Sequence, residues 1–418
     1  MNARPGYKQT EIGEIPKEWQ VVRLNQVCRV RRGASPRPID DPSFFSAEGR
    51  GWIRIVDVTS TYKYLRKTTQ YLSQKGVSRS VQVDPGDLIM SICATIGKPV
   101  ILDMEACIHD GFVVFSELHA NTDSEYLFYV LQSKESEFVG KKQTGTQGNL
   151  NTTIVGKTAF ALPSLSEQQR IVSILSTCDD TIQKTDEIIA KSQQLKKGLM
   201  QQLLTKGLGH NKFRQTRIGE MPEEWSLSSL SQVCRIIDCK HRTPKYSDEG
   251  YPVVRPGDLK PRSLSLDACL RTTSEEYADL TSNYAPKRGD IAFSRNASFG
   301  VASYVTTDEE FAIGQDVVIV TSDSNSTLFY FYVLNSSIID RQLKKLSTGS
   351  TFKRINLEEI RELEVPSPPM SEQEQIAAIL SDVDRKIEKE NYRKQRLGEL
   401  KKGLIQVLLT GKVRVKVN

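Results

Sequence analysis

Thr10-Glu-Ile-Gly-Glu-Ile-Pro-Lys-Glu-Trp19 recurs as Thr216-Arg-Ile-Gly-Glu-Met-Pro-Glu-Glu-Trp225, with seven of the ten positions identical at an offset of 206. The echo runs on through the chain. Gln26-Val-Cys-Arg29 returns as Gln232-Val-Cys-Arg235, Gly86-Asp87 as Gly289-Asp290, and Thr144-Gly145 as Thr348-Gly349. Ser166-Glu167-Gln168 returns as Ser371-Glu372-Gln373, and Leu195-Lys-Lys-Gly-Leu199 as Leu400-Lys-Lys-Gly-Leu404. The offset stays between 203 and 206, so the 418 residues are two near-equal copies of one unit. Similarity is lost across residues 30–85 and 236–286. A constant scaffold with two variable surfaces suits a protein that reads two different things with one architecture. Neutral drift after duplication is the competing explanation.

Each copy divides into a mixed region and a long helix. Short apolar runs rich in β-branched residues, such as Trp52–Val56, Asp87–Ser91, Phe112–Phe115, Ile291–Phe293 and Asp316–Val320, predict strands, punctuated by turn signals at Pro85-Gly86, Asp110-Gly111 and Arg288-Gly289. Helical patches lie near Ser124–Ser133 and Ser326–Ser336. The fold class expected is α+β.

The helices are announced by prolines and by capping boxes, Ser166 with Gln169 and Ser371 with Glu374. Beyond them, apolar residues recur at alternating four- and three-residue steps, the pattern of a coiled-coil seam. The seam residues are Ile171, Leu175, Ile182, Ile189, Leu195 and Leu199 in the first copy, and Ile376, Leu380, Val383, Ile387, Leu397 and Leu404 in the second. Ser166–Lys206 as a helix is roughly 60 Å long at about 1.5 Å per residue. The nine residues Gly207–Gln215 reach only about 30 Å at ~3.4 Å each. If the two helices pair, the second mixed region must lie at the far end of the first helix, and the second helix must return antiparallel. The expected organisation is a first α+β head (1–165), a helix (166–206), a second head (207–370), a second helix (371–412) and a basic tail (413–418), with the heads at opposite ends of an antiparallel two-helix coiled coil. Heads so placed could address two segments of a duplex, whose helical turn is about 34–36 Å.

Composition narrows the chemistry. Net charge is +6, with 20 basic and 17 acidic residues in 1–165 and 20 basic and 22 acidic in 207–370, so any DNA-binding surface must come from local clustering. The seven cysteines form no Cys-x-x-Cys pair and the four histidines are scattered, so no structural metal site is expected. No apolar run approaches the ~20 residues of a membrane span, and Met1–Thr10 has no signal-peptide core; a cytoplasmic protein is expected. Gly156-Lys157-Thr158 has Asn151 where a phosphate-binding loop needs its first glycine. There is no Pro-Asp dipeptide to begin a nuclease motif, the Pro368-Pro369 pair follows Ser367 rather than the Asn or Asp of an amino-methyltransferase, and no Gly-x-Gly-x-x-Gly occurs. No catalytic site is expected in this chain.

The candidate DNA contacts are cations and amides at matching places in the two copies. In the first head they are Arg29, Arg31, Arg32 and Arg37, answered in the second by Arg235, Lys240, His241, Arg242 and Lys245. Arg54 and Arg255 match each other, each three residues before an aspartate, so a scaffold ion pair is an equal reading of both. Thr146, Gln147 and Asn149 occupy a polar loop that corresponds to Ser350, Thr351, Lys353 and Arg354, and Arg295 and Asn296 complete the set. For every one of these a solvated loop residue is the plain alternative.

The order of variable head, long helix, variable head, long helix resembles the specificity subunits of type I restriction-modification systems. The Ile-Gly-Glu-Ile-Pro-x-x-Trp opening, Leu162-Pro-Ser-Leu-Ser-Glu-Gln-Gln-Arg-Ile171, and Leu-Lys-Lys-Gly-Leu followed by Leu-Leu-Thr resemble that family's motifs, and the likeness spans essentially the whole chain. The resemblance implies that the heads are target-recognition domains reading double-stranded DNA as an asymmetric bipartite sequence with a roughly six-base-pair gap, and that the helices dock two methyltransferase subunits. It implies S-adenosylmethionine in those partners, and ATP and Mg²⁺ in added endonuclease (translocating restriction) subunits, with no cofactor in this chain. A coiled-coil scaffold whose two heads bind proteins or peptides is the rival reading.

Overall fold

A computed structural model describes residues 4–141, 150–295, 300–346 and 355–416. The chain forms two compact units, Met1–Thr185 with Arg393–Asn418, and Asp186–Tyr392. The long helices, Leu165–Lys206 and Met370–Leu408, each contribute one half to each unit.

In the first unit Leu88–Ser91 lies inside a five-stranded sheet, between Phe112–Ser116 and Pro99–Leu102, with Arg29–Arg32 on the outer edge beside Phe112–Ser116. Strand alternation sends Leu88 and Met90 to one face and Ile89 to the other, and all three are fully buried. The Ile89 face meets residues of a second sheet, Ile53, Val83, Ala106 and Ile108 among them. The Leu88 face packs on the helix Ser124–Ser133, on Ile171, Leu175 and Leu408 of the long helices, and on Leu409 just beyond. A strand buried on both sides has no polar face to show, which is why its sequence is a continuous apolar run.

The second unit repeats the plan with fewer strands. Arg235–Ile237, Val317–Thr321, Ile291–Ser294 and Ala302–Tyr304 form a four-stranded sheet in that order, and a three-stranded sheet holds Tyr251–Val254. Ile291 and Phe293 face the cluster that includes Ile376 and Leu380, while Ala292 faces the other side. The predicted strands and the two short helices are all present, with one change: the run Trp52–Val56 is divided between the strand Arg50–Ile53 and the short helix Ile55–Thr59.

The repeated motifs prove to be fasteners. The indole N–H of Trp19 donates to Glu167 at 2.9 Å, and that of Trp225 donates to Glu372 at 2.9 Å. Gln168 accepts from the backbone of Asp123 and donates to the carbonyls of Asn121 and Pro163. Gln373 likewise accepts from Ser326 and donates to Asn325 and Pro368. Glu-Gln at each helix start is therefore spent on binding head to helix. This corrects the capping reading: helix begins at Leu165 and Met370, Ser164 Oγ accepts from Glu167 N, and Ser166 and Ser371 lie inside the first turn.

The seam also needs correction. Leu195 is 55% exposed. The buried or half-buried series is Ile171, Leu175, Cys178, Ile182, Thr185, Ile189, Ser192, Lys196, Leu199 and Leu203, an unbroken alternation of four and three. Three of these positions are polar, so a search for apolar residues slips by one to Leu195. Val383, Ile387, Leu397 and Leu404 are half-buried, and Ile376 and Leu380 fully so. The lysines at the seam carry partners. In the first unit Lys401 lies 2.6 Å from Asp179, which also accepts from Tyr129 Oη at 2.6 Å. In the second Lys196 lies 2.6 Å from Asp384, which accepts from Tyr332 Oη at 2.9 Å. Arg414, past the end of the second long helix, pairs with Glu167, so from Lys401 to Arg414 the contacts step back along the first helix from Asp179 to Glu167.

Ile189→Ala should cost about 2–4 kcal/mol, as for other buried aliphatics, whereas Leu195→Ala should stay within about 0.5 kcal/mol; urea denaturation of the two variants checks this. Asp179→Ala, which removes a buried carboxylate from half-buried Lys401 and from Tyr129 Oη, should cost about 3 kcal/mol or more, and most of that loss should return in the double variant with Lys401→Met.

Candidate nucleic-acid interface

The two heads present an edge strand in the same place. Arg29–Arg32 pairs antiparallel with Phe112–Ser116, with Arg29 opposite Ser116. Arg235–Ile237 pairs with Val317–Thr321, with Arg235 opposite Thr321. The match in topology and register makes Arg29 and Arg235 structural equivalents. Their exposed strand edges and the loops that follow hold most of the candidate cations.

In the first head the loop is built on the turn at His109-Asp110. Gly33 lies so close that a Cβ there would sit 2.2 Å from the carbonyl oxygen of His109, so only glycine fits. Its N–H donates to Phe112 O, and Ala34 N–H donates to Ile108 O. Asp110 gathers the rest: Ser35 Oγ donates at 2.6 Å, Arg37 at 3.2 Å, and Arg32 Nε donates to the Asp110 carbonyl at 2.7 Å. The Ser35 hydrogen bond, with the charge of Arg37 beside it, holds the Asp110 carboxyl below the usual range against the opposing pull of burial. Arg29 pairs with Glu117 at the surface. Arg31 is exposed, and its side chain has no hydrogen bond or ion pair among the described residues.

In the second head acidic residues take up more of the charge. Lys240 and Arg242 both pair with Asp279, and Arg242 also with Glu276. His241 lies 3.0 Å from Asp238. Arg235 and Lys245 are exposed, and neither side chain has a hydrogen bond or ion pair among the described residues. Arg295 is different in kind. It is 5% exposed, its guanidinium donates to Asp238 at 2.8 Å and to the Ile355 carbonyl, and its backbone N–H donates to Asp316 O. It is an internal strut of the head.

Arg54 and Arg255 each donate a backbone N–H to the aspartate three residues on, Asp57 at 2.8 Å and Asp258 at 2.9 Å. Arg255 adds two guanidinium contacts to Asp258 at 3.1 Å, while the Arg54 guanidinium makes none to Asp57. The shared feature of the two sequences is thus a capped turn. Thr146, Gln147, Asn149, Asn296, Ser350, Thr351, Lys353 and Arg354 lie outside the described residues. Sequence reasoning missed Asp110, Asp238, Glu276 and Asp279, the acids that set the geometry of the candidate cations; Asp238, next to Cys239 and three residues before His241, carried the one local signal.

If the edge strands contact phosphates, Arg31→Ala and Arg235→Ala should each weaken duplex binding uniformly across sequences and lower the salt slope by about one ion. Arg295→Ala should instead cost stability, since it removes a buried strut that joins Asp238 to the Ile355 carbonyl; thermal melting alongside salt-titrated binding separates the two.

Comparison with known proteins agrees with this duplicated plan. The family model described as type I restriction modification DNA specificity domain matches twice, at residues 16–193 and 222–399. The type I restriction enzyme MjaVIII specificity subunit of Methanocaldococcus jannaschii is 26% identical over 98% of this chain and 96% of its own length. The putative MjaX specificity subunit of the same organism is 27% identical over 98% and 97%. A chain from a structure addressing complex assembly and conformational transition of the type I R-M system superposes with a TM-score of 0.58 at 20% identity, covering 96% of this chain and 99% of that one. The type I restriction-modification S subunit from M. genitalium gives 0.58 at 13% identity, over 94% and 96%. With both copies matched and the relatives covered end to end, this chain belongs to the type I restriction-modification specificity-subunit family.

Proposed function

We propose that this specificity subunit reads an asymmetric bipartite target in double-stranded DNA, one half-site per head, with a gap of roughly six base pairs. That gap is about 10 bp between centres less half of each recognised segment. The observation that carries the reading is the placement of Arg31 and Arg235, exposed cations on the same edge strand of two heads that share a scaffold and differ in their loops. In this reading the long helices form an antiparallel coiled-coil spacer with the heads at opposite ends, and its length sets the gap.

The same reading gives the chain no chemistry of its own. Two methyltransferase subunits carrying S-adenosylmethionine dock on it, and endonuclease subunits using ATP and Mg²⁺ join them, in the cytoplasm of a prokaryote. Support for two identical partners comes from a groove that each unit has in equivalent form. In the first it is lined by Lys401, Lys402 and Ile405 with Ser133, and in the second by Lys196, Lys197 and Met200 with Ser336. Among the described residues no helix is long and apolar enough to cross a membrane.

One observation favours the rival reading of a scaffold that binds proteins: Lys240, Arg242 and Arg255 of the second head are already paired with acids. Methylation sequencing of a methylation-free host expressing this chain with its methyltransferase decides between them. Methyladenine confined to one bipartite motif, and lost when this chain is omitted, is the expected result. Binding of an active methyltransferase without motif-specific methylation would move the scaffold reading to the front.

A further inference from the structure

Cys239 lies at the end of the edge strand of the second head, 7% exposed, with Asp238 and His241 beside it. The Cys239 sulfur, a carboxylate oxygen of Asp238 and a ring nitrogen of His241 all lie within 4.8 Å of one another. His241 Nε2 is 3.0 Å from Asp238 Oδ2, and Cys239 Sγ is 3.7 Å from Asp238 Oδ1. A tetrahedral zinc ion with bonds of about 2.0–2.3 Å spaces its ligands about 3.3–3.8 Å apart, so adjustments of a few tenths of an ångström to about an ångström would bring the three atoms to that spacing.

We propose that Asp238, Cys239 and His241 form a binding site for a single Zn²⁺ in the second head. Two features beyond proximity support it. The Asp238 carboxylate is oriented through its other oxygen, Oδ1, which accepts from Arg295 at 2.8 Å and from Cys239 N–H at 2.9 Å, leaving Oδ2 directed at His241. Ligating carboxylates are held in this way by outer hydrogen bonds. A thiolate, an imidazole and one carboxylate together select zinc over the hard cations Mg²⁺ and Ca²⁺.

Binding would break the Cys239 S–H bond, release that proton to solvent and form a Zn–S bond, while neutral His241 gives its Nε2 lone pair. His241 is exposed, so water fills the fourth position. The first head has no counterpart, because Arg32, Gly33 and Ser35 stand at the equivalent places. The ion would tie His241 to the strand end and so fix the loop that carries Lys240, Arg242 and Lys245. That consequence for DNA rests on the proposed function; the metal site does not.

The test is titration of the reduced, metal-stripped full chain with Co²⁺ as a spectroscopic stand-in. One equivalent should give a thiolate-to-cobalt charge-transfer band, displaced by Zn²⁺. Cys239→Ser should abolish the band, and His241→Ala, a change at an exposed side chain, should weaken Co²⁺ binding about tenfold or more. Absence of the band in the wild type, or a band that persists unchanged in both variants, would overturn the site. The spectrum needs neither DNA nor partner subunits, so its failure leaves the specificity reading untouched.

Discussion

A half-buried lysine that meets one aspartate is the constraint on which each unit is built. Lys401 and Asp179 in the first unit, and Lys196 and Asp384 in the second, join two helix segments, and the tyrosine from the short helix of the head closes on the same carboxylate. Apolar seams tolerate slippage, since one leucine packs much like the next. An ion pair in the seam does not, because a shift strands a charge away from water, at a cost of several kcal/mol. Buried polar seam residues are best attested as devices of register. Here the device also reaches the head, so helix pairing and head attachment are fixed by a single group.

The sequence was legible where local pattern and tertiary demand agree. Strands such as Leu88–Ser91 and Val317–Thr321 are buried on both faces and spell continuous apolar runs. It was less legible where a residue's role depends on a partner far along the chain. Leu195 sits one place from a seam position taken by Lys196, and nothing local says that Lys196 will find Asp384. The caps at Ser166 and Ser371 failed for a different reason, since helix begins one residue before each serine, at Leu165 and Met370. Arg295 looked like a surface cation, and it is partners far along the chain, Asp238 and the Ile355 carbonyl, that make it internal. The repeat itself was the strongest signal, and it survives because the Trp–Glu and Gln contacts must be made twice.

The heads divide their cations into two kinds. Arg32, Arg37, Lys240, Arg242 and Arg255 are anchored to acids or carbonyls and define loop shape. Arg31, Arg235 and Lys245 are exposed without such anchors. A protein whose totals of acid and base nearly cancel can still present a charged edge if its acids hold some cations and leave others free; the first head does this with Asp110 and Glu117, the second with Asp238, Asp258, Glu276 and Asp279.

The first unit draws its closing strand of contacts from Arg393–Asn418, where Tyr7 Oη donates to Gly411 O and Arg414 pairs with Glu167 and Glu18. The second unit is a single continuous stretch, Asp186–Tyr392. On a ribosome adding roughly 5–20 residues each second, everything the second unit requires exists before the first can be completed. The earlier-made head must therefore wait, with part of its helix-facing core uncovered, for the later one to finish. Order of synthesis and order of completion are reversed, and chaperone protection during translation would fall on the residues made first.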